Sequence, residues 1–313
     1  MAFRSGFASI LGLPNAGKST LLNALVGEKL AIISPKPQTT RNRILGIVQL
    51  RGLQAPANKT RGQIVLIDTP GVHKPGDSLG RKMMSEVREA LDTSDLTLLI
   101  VDATRKSSAE DQFVLHMAKR LETPSFLLLN KIDLLHGDKT KLLPIMDEYR
   151  RLHDFKEIIP LSARKHQGLD LLLNKLLDHL PEGKPFFDED QVTDQPARFM
   201  TAEIIREQIL LETSEEVPYS VGVLIERFEE GKNLTRIAAA IYCEREGQKA
   251  ILIGKQGQML KRIGTGARLQ VEKMLGVKVF LELFVKVRAD WRNSAAIVQE
   301  LDWRQSRVPP GPV

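Results

Sequence analysis

One short stretch constrains the fold more than any other part of this sequence. Residues 12–20, GLPNAGKST, fit the pattern G-x-x-x-x-G-K-[ST], between apolar residues 7–11 that predict a strand and a leucine spacing that predicts a helix. In this context glycines turn backbone N–H groups toward phosphate oxygens, and the helix N-terminus adds partial positive charge. We expect Lys18 to reach the β- and γ-phosphates and the Ser19 hydroxyl to ligate Mg²⁺. The predicted nucleotide contacts here are Gly12, Leu13, Pro14, Asn15, Ala16, Gly17, Lys18, Ser19 and Thr20.

The composition predicts a soluble globular protein with more than one domain. At 313 residues, 42% of them hydrophobic and 27% charged, the chain is long enough for two cores. No apolar run approaches the ~18 residues of a membrane span, and the N-terminus lacks the apolar core of a signal peptide. Cys243 is the one cysteine and lies in an apolar run, so we expect a buried structural thiol and a reducing, cytoplasmic location.

The first part of the chain alternates between predicted strands and helices. Strands are predicted at 44–50, 64–67, 96–101, 125–129 and 157–161, and helices at 79–91, 109–121, 142–152 and 169–180. Such alternation predicts an α/β domain with a mostly parallel sheet and helices on both faces. Ligands of such sheets bind beyond the carboxyl ends of the strands, where the phosphate-binding loop also falls. We therefore predict a nucleotide-binding domain over residues 1–181.

A second phosphate-site motif, D-T-P-G at residues 68–71, follows a buried apolar strand. We expect Asp68 to hold Mg²⁺, usually through a water, and the Gly71 amide to donate to the γ-phosphate and sense its loss. The loop at 31–41, with its prolines and polar residues, is where a nucleotide switch is expected. Within it we favour Thr40 as a ligand of Mg²⁺ and the γ-phosphate, with Thr39 as the alternative. The predicted residues of this motif are Asp68, Thr69, Pro70 and Gly71, and the predicted catalytic set is Lys18, Ser19, Thr40, Asp68 and Gly71.

The motif N-K-x-D at residues 130–133 indicates which base the nucleotide carries. A carboxylate such as Asp133 accepts from guanine N1–H and the 2-amino group together, and adenine lacks this pair of donors. We expect Lys131 to pack its stem over the ring and Asn130 to tie the neighbouring loops together. The Ala163 amide, in an S-A-R tripeptide after the next strand, is expected at guanine O6. The predicted base contacts are Asn130, Lys131, Asp133, Ser162 and Ala163, and the predicted nucleotide is GTP.

The charges of the C-terminal part are unevenly distributed. Residues 182–230 carry 13 acidic and 4 basic side chains, whereas residues 245–292 carry 11 basic and 4 acidic ones. The basic stretch favours a local site for a polyanion. Residues 182–198, rich in proline and acidic residues, predict an interdomain linker.

The segments after this linker predict a second, smaller domain over residues 199–292, followed by a C-terminal tail over 293–313. Its predicted order is α-β-β-α-α-β. The predicted elements include a helix at 202–213, strands at 219–228 and 234–246, a basic helix at 258–275 and a strand at 277–287.

A G-x-x-G loop at residues 254–257 lies between two predicted helices of this second domain. In KH domains such a loop clamps the backbone of about four nucleotides, because its glycines let phosphates approach closely. The predicted RNA contacts are Gly254, Lys255, Gln256, Gly257, Lys261 and Arg262. A basic helix also suits anionic lipid, so peripheral contact with the inner face of the cell membrane stays open.

Together these motifs resemble those of the Era family of bacterial GTPases. The matching stretches are G-x-P-N-x-G-K-S, Q-T-T-R, D-T-P-G, N-K-I-D, S-A-R and I-G-K-Q-G, spread over residues 7–291, although the insertion at 51–61 looks long. The resemblance implies an α/β P-loop GTPase domain followed by a smaller α+β KH domain of type II. It also implies a factor of 30S ribosomal subunit assembly that binds small-subunit ribosomal RNA near its 3′ end, with GTP favouring RNA binding. We expect no stable oligomer.

The resemblance also implies two features of catalysis. In similar GTPases the P-loop asparagine, here Asn15, helps hold a potassium ion that stands in for an activating cationic side chain, so the expected cofactors are Mg²⁺ and K⁺. Where Ras-like enzymes have a water-orienting glutamine this sequence has Val72, followed by His73, so we expect slow intrinsic hydrolysis. The alternative function is a regulatory GTPase in cell-cycle signalling whose C-terminal domain binds RNA or membrane constitutively.

Overall fold

The computed structural model describes residues 3–34, 36, 39–50, 62–72, 74–120, 123–135 and 138–302. The insertion at 51–61, His73 and the predicted tail from 303 onward lie outside the described residues. The chain divides into two compact units, one made of Met1–Lys74 and Met83–Asp194 and the other of Pro75–Lys82 and Gln195–Val313. No helix in the described ranges has both the length and the apolar character needed to cross a membrane.

The first unit is built on a six-stranded, mostly parallel sheet. Its strands are β1 (Arg4–Leu11), β2 (Ile44–Leu50), β3 (Gly62–Asp68), β4 (Leu96–Asp102), β5 (Ser125–Asn130) and β6 (Glu157–Pro160). They lie in the order β2-β3-β1-β4-β5-β6, with β2 antiparallel to β3 and the other neighbours parallel. The helices that begin in the intervening segments are α1 (Lys18–Val26), α2 (Ser78–Asp92), α3 (Ala109–Lys119), α4 (Leu142–Leu152) and α5 (Leu169–His179). The predicted α/β fold is confirmed.

The central strands form because their sequences are nearly continuous apolar runs, which suits a parallel sheet covered on both faces. Every residue of β3 and β5 is buried. Side chains of α2, α3 and α4, among them Val87, Val114 and Tyr149, share one core cluster with Leu99 and Leu127 of the sheet. This packing fixes the carboxyl ends of β1, β3, β4 and β5 at one edge, where the polar loops follow.

The segment predicted as a linker is bonded to the first unit's sheet over part of its length. Gln63 in β3 is fully buried; its amide donates to the Phe187 carbonyl (2.8 Å) and accepts from the N–H groups of Phe186 (2.7 Å) and Phe187 (3.1 Å). Further along, the Val192 carbonyl accepts from the Ile47 N–H (2.8 Å) of edge strand β2. The last of these bonds pairs an N–H group that an uncovered edge strand leaves open. The exact bounds of linker and domains stay a prediction.

The second unit has a three-stranded sheet whose core is shared with helices. Its elements are α6 (Ala197–Glu212), α7 (Val217–Ser220), β7 (Gly222–Glu229), β8 (Leu234–Cys243), α8 (Glu246–Ile253), α9 (Gln258–Leu275), β9 (Lys278–Val287) and α10 (Ala295–Glu300). The sheet order is β7-β8-β9, with β8 antiparallel to β7 and parallel to β9. Ile205 and Ile209 of α6 and Ile263 of α9 pack in one cluster with Ile237 of β8. The central predicted order α-β-β-α-α-β is found, and α7 and α10 are additional.

Several predicted boundaries of this unit are wrong. The strand predicted over 234–246 ends at Cys243, because Glu246 is already the first residue of α8. Helix α6 starts at Ala197 rather than at 202, because Phe199 and Met200 also bury their side chains. The strand predicted from 219 starts at Gly222, because Pro218 lies in the first turn of α7, where its fixed φ suits a helix. Cys243 is fully buried, and burial raises the pKa of its thiol, as expected of a structural cysteine.

We expect Gln63→Ala to loosen the segment after α5, because two N–H groups and one carbonyl there lose their buried partner. The amides of Phe186 and Phe187 should exchange faster with solvent, and the first unit should lose about 2–3 kcal/mol of unfolding free energy. Hydrogen exchange and urea unfolding measure both. Gln49→Ala is the matched control, since its amide donates one exposed bond, to the Asp188 carbonyl (3.1 Å). Equal loss of amide protection in the two variants would contradict this account.

Candidate nucleotide site and nucleic-acid interface

The loop at 12–20 follows β1 and leads directly into α1 at the carboxyl edge of the sheet. Asn15 (φ 61°) and Gly17 (φ 105°) both have left-handed backbone conformations, which curl the chain. The Lys18 ammonium is buried and donates to the carbonyls of Gly12 (3.1 Å) and Leu13 (2.9 Å). The loop therefore holds one buried cation beneath a cavity of about 980 Å³.

Most of the predicted site residues line this cavity. They are Pro14, Asn15, Gly17, Lys18, Ser19, Thr20, Thr39, Thr40, Gly71, Asn130, Lys131, Asp133, Ser162 and Ala163. The others support them: Gly12, Leu13 and Ala16 offer carbonyls, Asp68 accepts from Ser19, Thr69 donates to the Ile10 carbonyl, and Pro70 is buried. The structure thus brings four separate sequence motifs to one place, while the role of each residue stays a prediction.

Three oxygen-bearing side chains converge beside Lys18. The Ser19 hydroxyl lies 2.6 Å from Asp68 Oδ2 and 2.9 Å from Thr40 Oγ1, and the Thr40 hydroxyl lies 3.1 Å from the same Oδ2. Asp68 Oδ1 is buried and accepts no hydrogen bond from any described residue. Two hydroxyls and a carboxylate with an unused oxygen are a donor set that suits Mg²⁺. Thr39 is placed differently, because its hydroxyl donates to the Lys36 carbonyl (2.7 Å).

Burial leaves the two charges of this cluster poorly solvated. It lowers the pKa of Lys18 to about 8, and the nearby Asp68 carboxylate opposes the shift. Burial likewise raises the pKa of Asp68, against the effects of Lys18, Ser19 and Thr40. A phosphate beside Lys18 and a cation beside Asp68 each restore the charged form that burial penalises. The electrostatics of the site therefore favour an anionic ligand bound together with a metal ion.

The D-T-P-G motif packs directly against the phosphate loop. A Cβ added to Gly71 would come within 2.9 Å of the Pro14 backbone nitrogen, so only glycine fits this approach. The next residue, Val72, donates its N–H to the Gly12 carbonyl (3.2 Å) and buries its side chain in the core. An apolar, buried side chain cannot orient water, so no group at position 72 serves that purpose.

Asn130 joins the loops on either side of the base-recognition motif. Its Nδ2 donates to the Ala16 carbonyl (2.8 Å) and its Oδ1 accepts from the Ala163 N–H (3.0 Å). The Ser162 hydroxyl donates to Asp133 Oδ1 (2.6 Å) and so orients the carboxylate predicted to recognise guanine. The Ala163 amide, predicted to contact guanine O6, is bonded to Asn130 in this structure, and its contact with the base stays a prediction.

Among the residues not predicted from the sequence, Asp102 and Asn23 support the site through their hydrogen bonds. Asp102, at the end of β4, forms an ion pair with Lys131 (Oδ2–Nζ 2.6 Å). Burial raises the pKa of the Asp102 carboxyl, but hydrogen bonds from Lys131 and Thr104 outweigh it and the net shift is downward. Asn23 in α1 accepts from the N–H groups of Leu30 (3.0 Å) and Ala31 (2.9 Å), which anchors the loop leading to Thr40. The position of Asp102 at the carboxyl end of a predicted parallel strand could have indicated from the sequence that it belongs to the site.

The G-x-x-G loop of the second unit joins α8 to α9. Gly254 (φ 70°), Gln256 (φ 52°) and Gly257 (φ 76°) all have a positive φ, so the loop turns sharply and exposes Lys255 and Gln256 at its tip. Beside it lies a groove of about 340 Å³. Its lining residues are Gly257, Leu260, Lys261, Gly264, Thr265 and Arg268 from the loop and α9, with Leu281 and Leu283 from β9.

The predicted RNA contacts are unevenly placed around this groove. Lys261 lines it, whereas Arg262 pairs with Glu212 of α6 (Nε–Oε2 3.3 Å). Arg268, Gly264 and Thr265 line the groove without having been predicted. Successive residues of a helix point about 100° apart, so a run of basic residues cannot all face one groove. Arg268 also has an acidic partner, Glu272 (2.9 Å). Helical spacing from Gly257 was the sign that pointed to position 268, and contact of Arg262 with RNA stays a prediction.

A mostly parallel sheet with this set of loops at its carboxyl edge, followed by this three-stranded α+β unit, defines a P-loop GTPase joined to a KH domain. Family models agree: one described as a 50S ribosome-binding GTPase matches residues 7–131, and one described as a KH domain matches residues 216–292. The predicted GTPase and KH assignments are confirmed.

Full-length relatives identify the family. GTPase Era of Ruminiclostridium cellulolyticum is 48% identical over 308 residues, which cover 98% of this chain and 100% of the relative. GTPase Era of Syntrophus aciditrophicus is 48% identical over 305 residues, which cover 97% of this chain and 96% of the relative. A variant of Aquifex aeolicus Era bound to GDP·AlF4⁻ superposes with a TM-score of 0.89 at 41% identity, covering 96% of this chain and 99% of that one. A second structure, Era in complex with MgGDPNP and nucleotides 1506–1542 of 16S ribosomal RNA, has a TM-score of 0.90 at the same identity and coverage. The chain belongs to the Era family of GTPases.

We expect Gly17→Ala to abolish tight nucleotide binding. A Cβ on Gly17 would lie 2.2 Å from Asn130 Nδ2, so the residue could not keep both its left-handed backbone and the Asn130 bridge. The GDP affinity measured by calorimetry should fall about a hundredfold or more, as strain and a lost buried hydrogen bond add. Gly27→Ala is the control, since Gly27 is also left-handed (φ 81°) but has nothing within 4 Å of the added Cβ. It should keep near-native GDP affinity, and matching losses in both variants would refute the clash.

Proposed function

We propose that this protein is a GTP-driven switch that binds small-subunit ribosomal RNA near its 3′ end and acts in assembly of the 30S subunit. The observation that carries the proposal is the correspondence of both units, over 96% of the chain, with an Era bound to MgGDPNP and to nucleotides 1506–1542 of 16S ribosomal RNA. The two parts that such a protein needs, a nucleotide cavity and a KH groove, are both present here.

The nucleotide half of the proposal assigns roles to the residues of the cavity. Lys18 holds the β- and γ-phosphates, and Ser19, Thr40 and Asp68 hold Mg²⁺, which neutralises charge on the phosphates when bound. Thr40 and the Gly71 amide are the groups that distinguish GTP from GDP. Asp133, oriented by Ser162, recognises guanine. With Val72 buried, the chain orients the attacking water poorly, so we propose slow intrinsic hydrolysis.

The RNA half assigns the G-x-x-G loop to the phosphate backbone. Gly254 and Gly257 lack side chains that would keep phosphates away, and α9 directs its N-terminus toward the same loop. Lys255 and Lys261 supply positive charge, and the apolar side of the groove, Leu281 with Leu283, contacts bases. If GTP raises RNA affinity, bound RNA must raise GTP affinity by the same factor.

The alternative is a C-terminal domain that binds RNA or an anionic membrane regardless of the nucleotide. The two functions differ in one measurable quantity, the ratio of RNA affinities in the GTP-like and GDP states. A ratio near one, or binding to anionic vesicles that RNA does not displace, supports the alternative.

The main test is crosslinking to RNA in living cells followed by sequencing. We expect reads concentrated near the 3′ end of small-subunit ribosomal RNA, and their loss in the double variant Gly254→Asp, Gly257→Asp, because two carboxylates repel the phosphates. Gly276→Asp is the matched control, since Gly276 is a left-handed glycine at the far end of α9 with open space beside it. Diffuse reads that persist in the double variant argue against the assembly factor.

We further propose that potassium accelerates hydrolysis through Asn15, a residue that lines the cavity. A monovalent cation there neutralises negative charge on the phosphate oxygens that Lys18 and Mg²⁺ leave uncompensated in the transition state. GTP hydrolysis measured in potassium should exceed that in sodium by about tenfold or more, and Asn15→Ala should remove the difference while GDP still binds. Equal rates in the two salts would rule out the proposal.

A further inference from the structure

The KH sheet has a second surface, on the side away from the groove. Along β9 the odd-numbered residues from 279 to 287 pack toward the helices, so the even-numbered residues face the opposite side. Two of these are large aromatic residues, Phe280 and Phe284, which are 47% and 48% exposed. Exposed phenylalanines on one sheet face call for an explanation, because burying a ring of this size is strongly favourable.

The neighbours of these rings keep the surface open and flat. On strand β8, Arg236 lies opposite Phe280, and Ala240 lies opposite Phe284. Alanine is too small to cover a phenyl ring. The Arg236 guanidinium carbon lies 5.9 Å from the centroid of the Phe280 ring, within the range of a cation–π contact. We call Phe280, Phe284 and Arg236 the outer platform.

The carboxylates beside the outer platform are neutralised. Glu282, between the two rings on β9, pairs with Arg227 (2.9 Å), and Glu226 on β7 pairs with Lys286. A third carboxylate, Glu229 on β7, lies opposite Arg236 and 3.9 Å from the same Arg227. An approaching polyanion therefore meets three carboxylates matched by Arg227, Lys286 and Arg236 rather than isolated negative charge. Phe284 is four positions after Phe280, so the two rings lie about 13 Å apart along the strand. This spacing leaves room for one base on each ring.

The outer platform is continuous with the KH groove through a single strand. β9 is the last strand of the sheet, and its Leu281 and Leu283 line the groove while Phe280 and Phe284 lie on its other face. An RNA strand that leaves the groove across this edge reaches the two rings next. Stacking of successive bases on exposed aromatic rings, with arginine beside the backbone, is the usual way in which proteins bind single-stranded RNA.

We propose that the outer platform binds bases of single-stranded RNA that extends beyond the KH groove. The proposal rests on the proposed RNA-binding function of the groove. It adds a second contact, which depends on stacking rather than on base-specific hydrogen bonds and so tolerates different sequences.

The test compares nested fragments of the small-subunit rRNA 3′ end on the full-length protein with MgGDPNP. One RNA of about four nucleotides fills only the groove. Two others carry the same core with an extension at the 5′ or the 3′ side, and each extension contains 2-aminopurine, whose fluorescence falls on stacking. We expect one extension to raise the affinity and to lose fluorescence on binding.

Substitutions assign the gain to the rings. Phe280→Ala and Phe284→Ala should each weaken binding of the extended RNA about tenfold and leave the short RNA unchanged. Phe→Tyr at both positions should preserve binding, because the stacking face remains. Phe→Leu should lose it, although the apolar character remains. Phe113→Ala is the control, since Phe113 is 51% exposed on α3 of the other unit.

The outcomes separate this proposal from the one on which it rests. If the short RNA fails to bind, the groove itself fails as an RNA site. If the short RNA binds but neither extension adds affinity, or the alanine variants bind extended RNA normally, the outer platform is overturned and the groove stands. Full binding by the leucine variant also overturns it, because a surface that needs only apolar contact is a protein-docking surface rather than a stacking one.

Discussion

The nucleotide site depends above all on the two hydrogen bonds of the Asn130 side chain. One reaches the phosphate loop at Ala16 and the other the S-A-R loop at Ala163, so three loops that are far apart in sequence become one rigid body. Only a primary amide both donates and accepts at this spacing; an aspartate or alanine would leave a buried backbone group unpaired, at a cost of about 1–3 kcal/mol. Loops that are already joined do not have to be ordered when the nucleotide binds, and affinity gains accordingly.

The second constraint is the convergence of Ser19 and Thr40 on Asp68. Ser19 belongs to a helix fixed by the core, whereas Thr40 belongs to the loop between α1 and β2, so the carboxylate joins a core helix to the loop that is predicted to switch. Hydroxyl bonds to a buried carboxylate are worth about 1.5–3 kcal/mol each. This is the same size as a typical coupling free energy between two ligand sites, about 1–3 kcal/mol. A change of partner at Asp68 alone therefore supplies enough energy for a switch.

How far the sequence predicted this protein depends on how local each signal was. The phosphate loop, D-T-P-G and N-K-x-D are short motifs whose chemistry is contained in a few adjacent residues, and the structure brings them together as expected. Asp102 escaped notice because its role comes from the register of β4 beside β5, where it lies opposite Asn130. Arg268 was left out because charge counts ignore the direction of each side chain around α9, and the contact of Arg262 with RNA stays a prediction. The start of α6 shows that tertiary burial, here of Phe199 and Met200, shifts a boundary that periodicity leaves open, whereas the short helix at Pro218 depends on the fixed φ of proline.

The division of RNA contacts between a groove and a stacking surface has a consequence for switching. Contacts that are equally strong in the GTP and GDP states raise RNA affinity in both and leave their ratio unchanged, because only differential interactions shift an equilibrium. Phe280 and Phe284 lie on a rigid, continuously paired strand, so their stacking energy has no built-in dependence on the nucleotide. Under the two proposals, such contacts set how tightly RNA is held overall, whereas the Asp68 cluster sets how strongly the RNA affinity changes on hydrolysis. The RNA affinity and the ratio of RNA affinities in the GTP and GDP states then depend on different residues. A substitution can change one of these quantities without altering the other.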